Sequence, residues 1–160
     1  MTPEARALVR ASWDALAGDA ARLGALGERF YGRLFALDPG VRPLFAAVDM
    51  AAQRGKLVAM LGAVVRVLDE PDRLVPTAAA LAARHVGYGA LGRHYDLVGE
   101  ALRGALADVL GDALGARATP AVLAAWAEAY ALLAAVMRRS ADAGRADAVR
   151  AGAAAPAPHP

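Results

Sequence analysis

Cysteine is absent from the 160-residue chain. That removes disulfides, zinc-thiolate sites, iron–sulfur clusters and thiol nucleophiles together. Isoleucine is absent and threonine is rare, whereas about a quarter of the residues are alanine. Such a composition favours helix throughout. Lys56 is the only lysine. The pI of 9.4 therefore reflects a small arginine excess behind a formal net charge of +2. No clustered basic face suited to nucleic acid follows from it.

Serine occurs only as Ser12 and Ser140, neither within GxSxG. The glycines lack GxGxxG or Walker spacing and a preceding strand. Histidine occurs only as His85, His94 and His159, with no HExxH, so a multi-histidine metal cage cannot be built. No segment reaches the roughly 18 uninterrupted apolar residues that cross a bilayer. Glu4, Arg6, Arg10, Asp14 and Asp19 exclude a signal-peptide hydrophobic region. The expectation is one soluble, cytoplasmic, all-α domain with neither membrane nor nucleic acid as partner. With hydrophobic residues at 58%, it has ample material for a core.

Helix signals punctuate the chain. Thr2-Pro3-Glu4 combines a capping hydroxyl, a first-turn proline and an acid at the positive helix end. A second helix is predicted from Ala20 to Leu37, stopped by Asp38-Pro39-Gly40, and a turn then holds Val41, Pro43, Leu44 and Phe45. Further helices are predicted near Asp49–Leu68, Pro76–Val86, Arg93–Leu110 and from Thr119-Pro120 to about Ser140. The domain is taken as residues 1–140, and the Ala/Pro-rich residues 141–160 as a disordered tail.

Three polar residues sit on apolar stripes. Gln53 shares a face with Met50, Leu57, Met60, Val64 and Leu68. Its plainer reading is a helix-start residue reaching solvent. His85 closes the stripe Leu74, Ala78 and Leu81, and a satisfied core histidine is the plainer reading. Tyr31 follows Phe30, with Gly27 one turn earlier on the same side, where a glycine permits close approach of a crossing helix. Phe45 reads as a core anchor.

The segments Phe30-Tyr31-Gly32-Arg33-Leu34-Phe35, Asp38-Pro39-Gly40-Val41-Arg42-Pro43-Leu44-Phe45 and Gln53-Arg54-Gly55-Lys56-Leu57 resemble bacterial globins. So do Arg84-His85-Val86-Gly87-Tyr88-Gly89, His94-Tyr95-Asp96-Leu97-Val98-Gly99-Glu100 and Ala125-Trp126-Ala127-Glu128-Ala129-Tyr130. They stand in the family's order over roughly residues 6 to 140, and the pattern resembles single-domain globins related to flavohaemoglobins.

The resemblance implies about seven helices in a three-over-three sandwich around haem b. It makes His85 the proximal metal ligand. Phe45 and Leu57 become haem-packing residues, Tyr95 a proximal support, and Tyr31 with Gln53 the distal pair that meets O2, CO or NO. No catalytic residue is assigned. Arg54, Arg84 and His94 are candidates for the polar haem edges. One imidazole leaves the opposite coordination position open for a gas.

One position departs from the pattern. The resemblance implies a glutamate late in the last helix, as in flavohaemoglobin-type domains; that position falls near Ala141, with Asp142 adjacent. Strong peroxidase-like tuning is therefore not expected. The chain is also too short to carry an FAD and NAD(P)H module, so any NO dioxygenation would draw electrons from an external reductase. The functional expectation is reversible O2 binding, with that activity secondary. The alternatives are a haem-based gas or redox sensor acting through a separate partner, and a haemless helical interaction module.

Overall fold

The computed structural model describes residues 1–87 and 92–153. These form six α-helices: α1 (Pro3–Ala17), α2 (Ala20–Leu37), α3 (Met50–Val67), α4 (Pro71–Gly87), α5 (Gly92–Leu114) and α6 (Pro120–Ala153). Two 3-10 segments, Pro39–Phe45 and Gly115–Arg117, complete the described elements. The arrangement is all-α among the described residues.

The caps explain the starts. The Thr2 hydroxyl accepts from Ala5 N at 3.1 Å, and Asp19 accepts from Ala21 N at 2.9 Å. Asp38 caps the first 3-10 segment through Gly40 N at 2.8 Å, and Asp49 opens α3 through Ala51 N at 3.0 Å. Each side chain satisfies an amide that the helix leaves unpaired.

Two boundaries differ from expectation. α4 starts at Pro71, ahead of the expected Pro76, which lies inside the helix. The Glu70 carbonyl accepts from Arg73 N and Leu74 N at 2.9 and 2.8 Å, and this turn seeds the helix early. Pro71 stands at the first helical position, where its missing N–H is one that the helix leaves unpaired anyway, whereas Pro76 lies beyond that turn. α6 continues to Ala153, past the expected end at Ser140, so the 140/141 boundary does not coincide with a helix end. Alanine-rich sequence carries it, with Asp142–Arg145 and Asp147–Arg150 pairs at i,i+3 along an exposed extension. His159 and the rest of the tail from residue 154 lie outside the described residues, as does Gly89.

α2 packs on α5 and α3, and α6 packs on α4, α1 and α5. Val9, Leu16, Leu26, Leu106 and Leu110 are fully buried at these crossings. α6 holds a stretch of mean hydropathy 1.6, long and apolar enough to cross a membrane by composition, although Glu128 breaks the run. Its Val122, Trp126, Leu133 and Met137 are buried in the fold, as in the core helix of a bundle. At the heart of α6, Trp126 Nε1 donates to Ser12 Oγ at 2.9 Å, and Ser12 donates onward to the Leu8 carbonyl at 2.7 Å. The indole is thereby satisfied without solvent.

The buried core divides into two clusters among the described residues. One gathers α1, α2, α3, α5 and the start of α6, and includes Tyr31 and Leu57, with Phe45 packed against it. The other gathers Val64, Val67, Leu74, Ala78, Leu81, Tyr95 and the later part of α6. Met60 and Tyr130 touch both.

Candidate functional site

The aromatic corner of the first cluster is built by sequence neighbours. Tyr31 is 6% exposed in the middle of α2. Phe45, at the end of the first 3-10 segment, meets the Tyr31 ring edge-on, centroids 5.5 Å apart at 71°. Phe35, one turn after Tyr31, meets Phe45 with the same separation and tilt. Arg42 covers the outer face of Phe35 with its guanidinium 4.6 Å from the ring centre. Edge-on packing sets the positive rim of one ring on the negative face of another.

Into this corner α3 brings Gln53. Its Nε2 donates to the Tyr31 hydroxyl oxygen at 3.1 Å. Gln53 is half-buried near the start of α3, and its amide has a partner on another helix. Because the phenol oxygen is accepting, its own proton is left to donate elsewhere. Burial raises the Tyr31 pKa above its ordinary value, and the hydrogen bond from Gln53 opposes that rise. The phenol therefore stays a donor at neutral pH. Leu57 stands one turn beyond Gln53 on the same face and is buried.

His85 ends the apolar stripe of α4 that belongs to the second cluster. Its Nδ1 lies 2.8 Å from the Leu81 carbonyl, one turn back. A carbonyl only accepts, so Nδ1 carries a proton in this contact, which leaves Nε2 as the nitrogen a metal would take. That orientation is the one a metal-ligating histidine takes. Among the described residues, no group of three or more His, Cys, Asp or Glu could hold a metal ion. A metal bound through His85 would need its other ligands from a prosthetic group, and haem supplies four ring nitrogens. The residue types such a group needs are present: an imidazole hydrogen-bonded to a backbone carbonyl at the end of a stripe in one apolar cluster, and Tyr31 of the other cluster with Gln53 bonded to it.

Tyr95, in the first turn of α5, is buried, and its carbonyl accepts from the Tyr130 hydroxyl. Arg138 lies 5.4 Å from the Tyr95 ring centre. Burial raises the Tyr95 pKa, Arg145 and Arg138 lower it, and Asp142 raises it. Ala141 is buried, and Asp142 pairs with Arg145. Arg54 and His94 are half-buried and Arg84 is exposed. Sequence patterning missed the direct Gln53–Tyr31 bond and the Tyr130–Tyr95 bond; both join residues remote in the chain.

The globin family model matches residues 28–137. The flavohemoprotein of Deinococcus radiodurans is 37% identical over 139 residues, covering 86% of this chain and 33% of its own length. The flavohemoprotein of Bordetella parapertussis is 35% identical over 136 residues, covering 84% of this chain and 32% of its own. The chain thus spans about a third of these relatives. Over nearly its full length it also superposes on an engineered carbene transferase, by its description a nitric oxide dioxygenase of Rhodothermus marinus. The TM-score is 0.76 and the identity 32%, with coverage of 93% of this chain and 99% of that one. The fold, the matched segment and these relatives lead to one conclusion: this chain belongs to the globin family.

Proposed function

We propose that residues 1–140 form a globin domain that holds haem b through His85 and reversibly binds O2, CO and NO on the face bearing Tyr31 and Gln53. When bound, haem supplies an iron with one open coordination position. The protein supplies everything around it. The Leu81 carbonyl fixes the imidazole tautomer so that Nε2 faces the metal. Phe45 and Leu57 pack on the ring and exclude water. Tyr31, its oxygen engaged by Gln53, points its proton at a gas ligand that gathers negative charge.

The observation that carries this reading is the 3.1 Å Gln53–Tyr31 bond within an aromatic and aliphatic surround. A phenol donor beside the bound gas favours polar over apolar diatomics. The experiment is O2 release measured by stopped flow on wild type and Tyr31→Phe: the variant releases O2 faster.

The same pocket supports conversion of O2 and NO, with one electron, to nitrate. Electrons would come from a reductase. With Ala141 in place of a carboxylate, peroxidase-like activity is weak. A cytoplasmic location suits such a reductase. Nitrate formation that continues only while a reducing system is supplied tests this part.

A further inference from the structure

α2 and α3 make a close approach at Gly27 and Arg54. A Cβ built on Gly27 would stand 2.9 Å from Arg54 Cβ, 3.3 Å from its Cγ and 3.5 Å from its Cα. The atoms in the way belong to the backbone and the root of the side chain, so they cannot swing aside. Gly27 is buried. Tyr31 lies one turn after Gly27, and Gln53 immediately precedes Arg54.

We propose that Gly27 and Arg54 are positioning residues: the missing Cβ lets α3 approach until the Gln53 amide reaches the Tyr31 phenol. The consequence for ligands rests on the function proposed above; the geometric link does not. Restoring ordinary contact, 3.4 Å or more, would push the helices apart by about 0.5 Å. The 3.1 Å bond has no such slack, because at about 3.6 Å a hydrogen bond is lost. Other glycines of α2 are different. Nothing lies within 4 Å of a Cβ on Gly24 or Gly32. Gly32 adjoins Tyr31 in sequence, which makes it a matched control.

The test is a double-mutant cycle of Gly27→Ala and Arg54→Gly, with Gly32→Ala as control. Two readouts are taken. One is the NMR shift of the Tyr31 ring carbon bearing oxygen, which reports the phenol's hydrogen bonding in the protein itself. The other is the CO stretching band of the haem-loaded, reduced protein, which reports the field at the ligand.

Gly27→Ala is expected to move the Tyr31 resonance to its position in Gln53→Leu, shift the CO band the same way, and speed O2 release several-fold. In the Arg54→Gly background the alanine is expected to change neither readout, and Gly32→Ala is expected to match wild type. A wild-type Tyr31 resonance in Gly27→Ala, or an equal effect of the alanine in both backgrounds, overturns the proposal. If Gly27→Ala alone does not fold, the double variant decides, since it must fold and match Arg54→Gly. If the Tyr31 resonance behaves as expected while even Tyr31→Phe leaves CO and O2 unchanged, the positioning holds and the functional reading fails.

Discussion

The Gln53 side-chain amide donates to the Tyr31 hydroxyl at 3.1 Å, tying the start of α3 to the middle of α2. The two groups therefore act in series: the amide orients and polarises the phenol, and the phenol donates. Tyr31→Phe should raise the O2 dissociation rate by about fivefold or more, since the lost hydrogen bond is worth about 1 kcal/mol or more. Gln53→Leu should act in the same direction but less, because the phenol proton survives. Stopped-flow O2 release checks both, and equal rates in all three proteins would sink the arrangement.

Alkaline pH tests the buried phenols. Burial raises the pKa of Tyr31, Tyr95 and Tyr130 above the ordinary value. A tyrosine whose folded pKa is raised favours the neutral form, so its contribution is whole below about pH 10 and lost as pH rises through the folded value. O2 release should be flat from about pH 6 to about pH 9, and stability should fall above about pH 10. Tyr130→Phe should flatten part of that fall. Denaturant titrations at a series of alkaline pH values measure it; a fall beginning near neutrality would contradict the assignment.

Ser12 serves the core rather than the site. It is 3% exposed and accepts from the Trp126 indole. Ser12→Ala leaves that N–H buried and unpaired, a cost of about 1–3 kcal/mol in unfolding free energy. Trp126→Phe in the Ser12→Ala background should cost less than in wild type, because the donor has gone. Denaturant midpoints of the four proteins give the coupling.

Much of the fold was legible because its signals are local. α2 spans Ala20–Leu37 as predicted, ending at the Asp38-Pro39-Gly40 breaker. The stripes of α3 and α4 placed Leu57 and Leu81 correctly in the core. Two kinds of feature were not legible. α4 begins at Pro71 because a turn at Glu70 seeds it, and proline alone looks like a stop. The Gln53–Tyr31 bond and the Gly27–Arg54 approach depend on how two helices cross, which no single-helix pattern contains. An amide on an apolar stripe was the one trace of the crossing left in the sequence.

The helical extension offers a contrasting case. Ala141 is buried, whereas residues 142–153 are exposed and Val149 is 71% exposed. A chain ending at Ala143 should keep its haem spectrum and O2 kinetics and lose no more than about 1 kcal/mol of stability. Surface i,i+3 pairs such as Asp147–Arg150 contribute little. Loss of haem on truncation would give the extension a role that its exposure does not suggest.

The central claim is that His85 holds haem while the opposite face stays open to gas. It is tested most directly by absorption spectra of wild type and His85→Ala purified with ample haem, taken ferric, reduced, and reduced with CO. The account predicts a wild-type Soret band that shifts on reduction and sharpens with CO, and a folded His85→Ala protein without that pigment. A variant with the wild-type spectrum, or a folded wild-type protein that rejects haem, would contradict it.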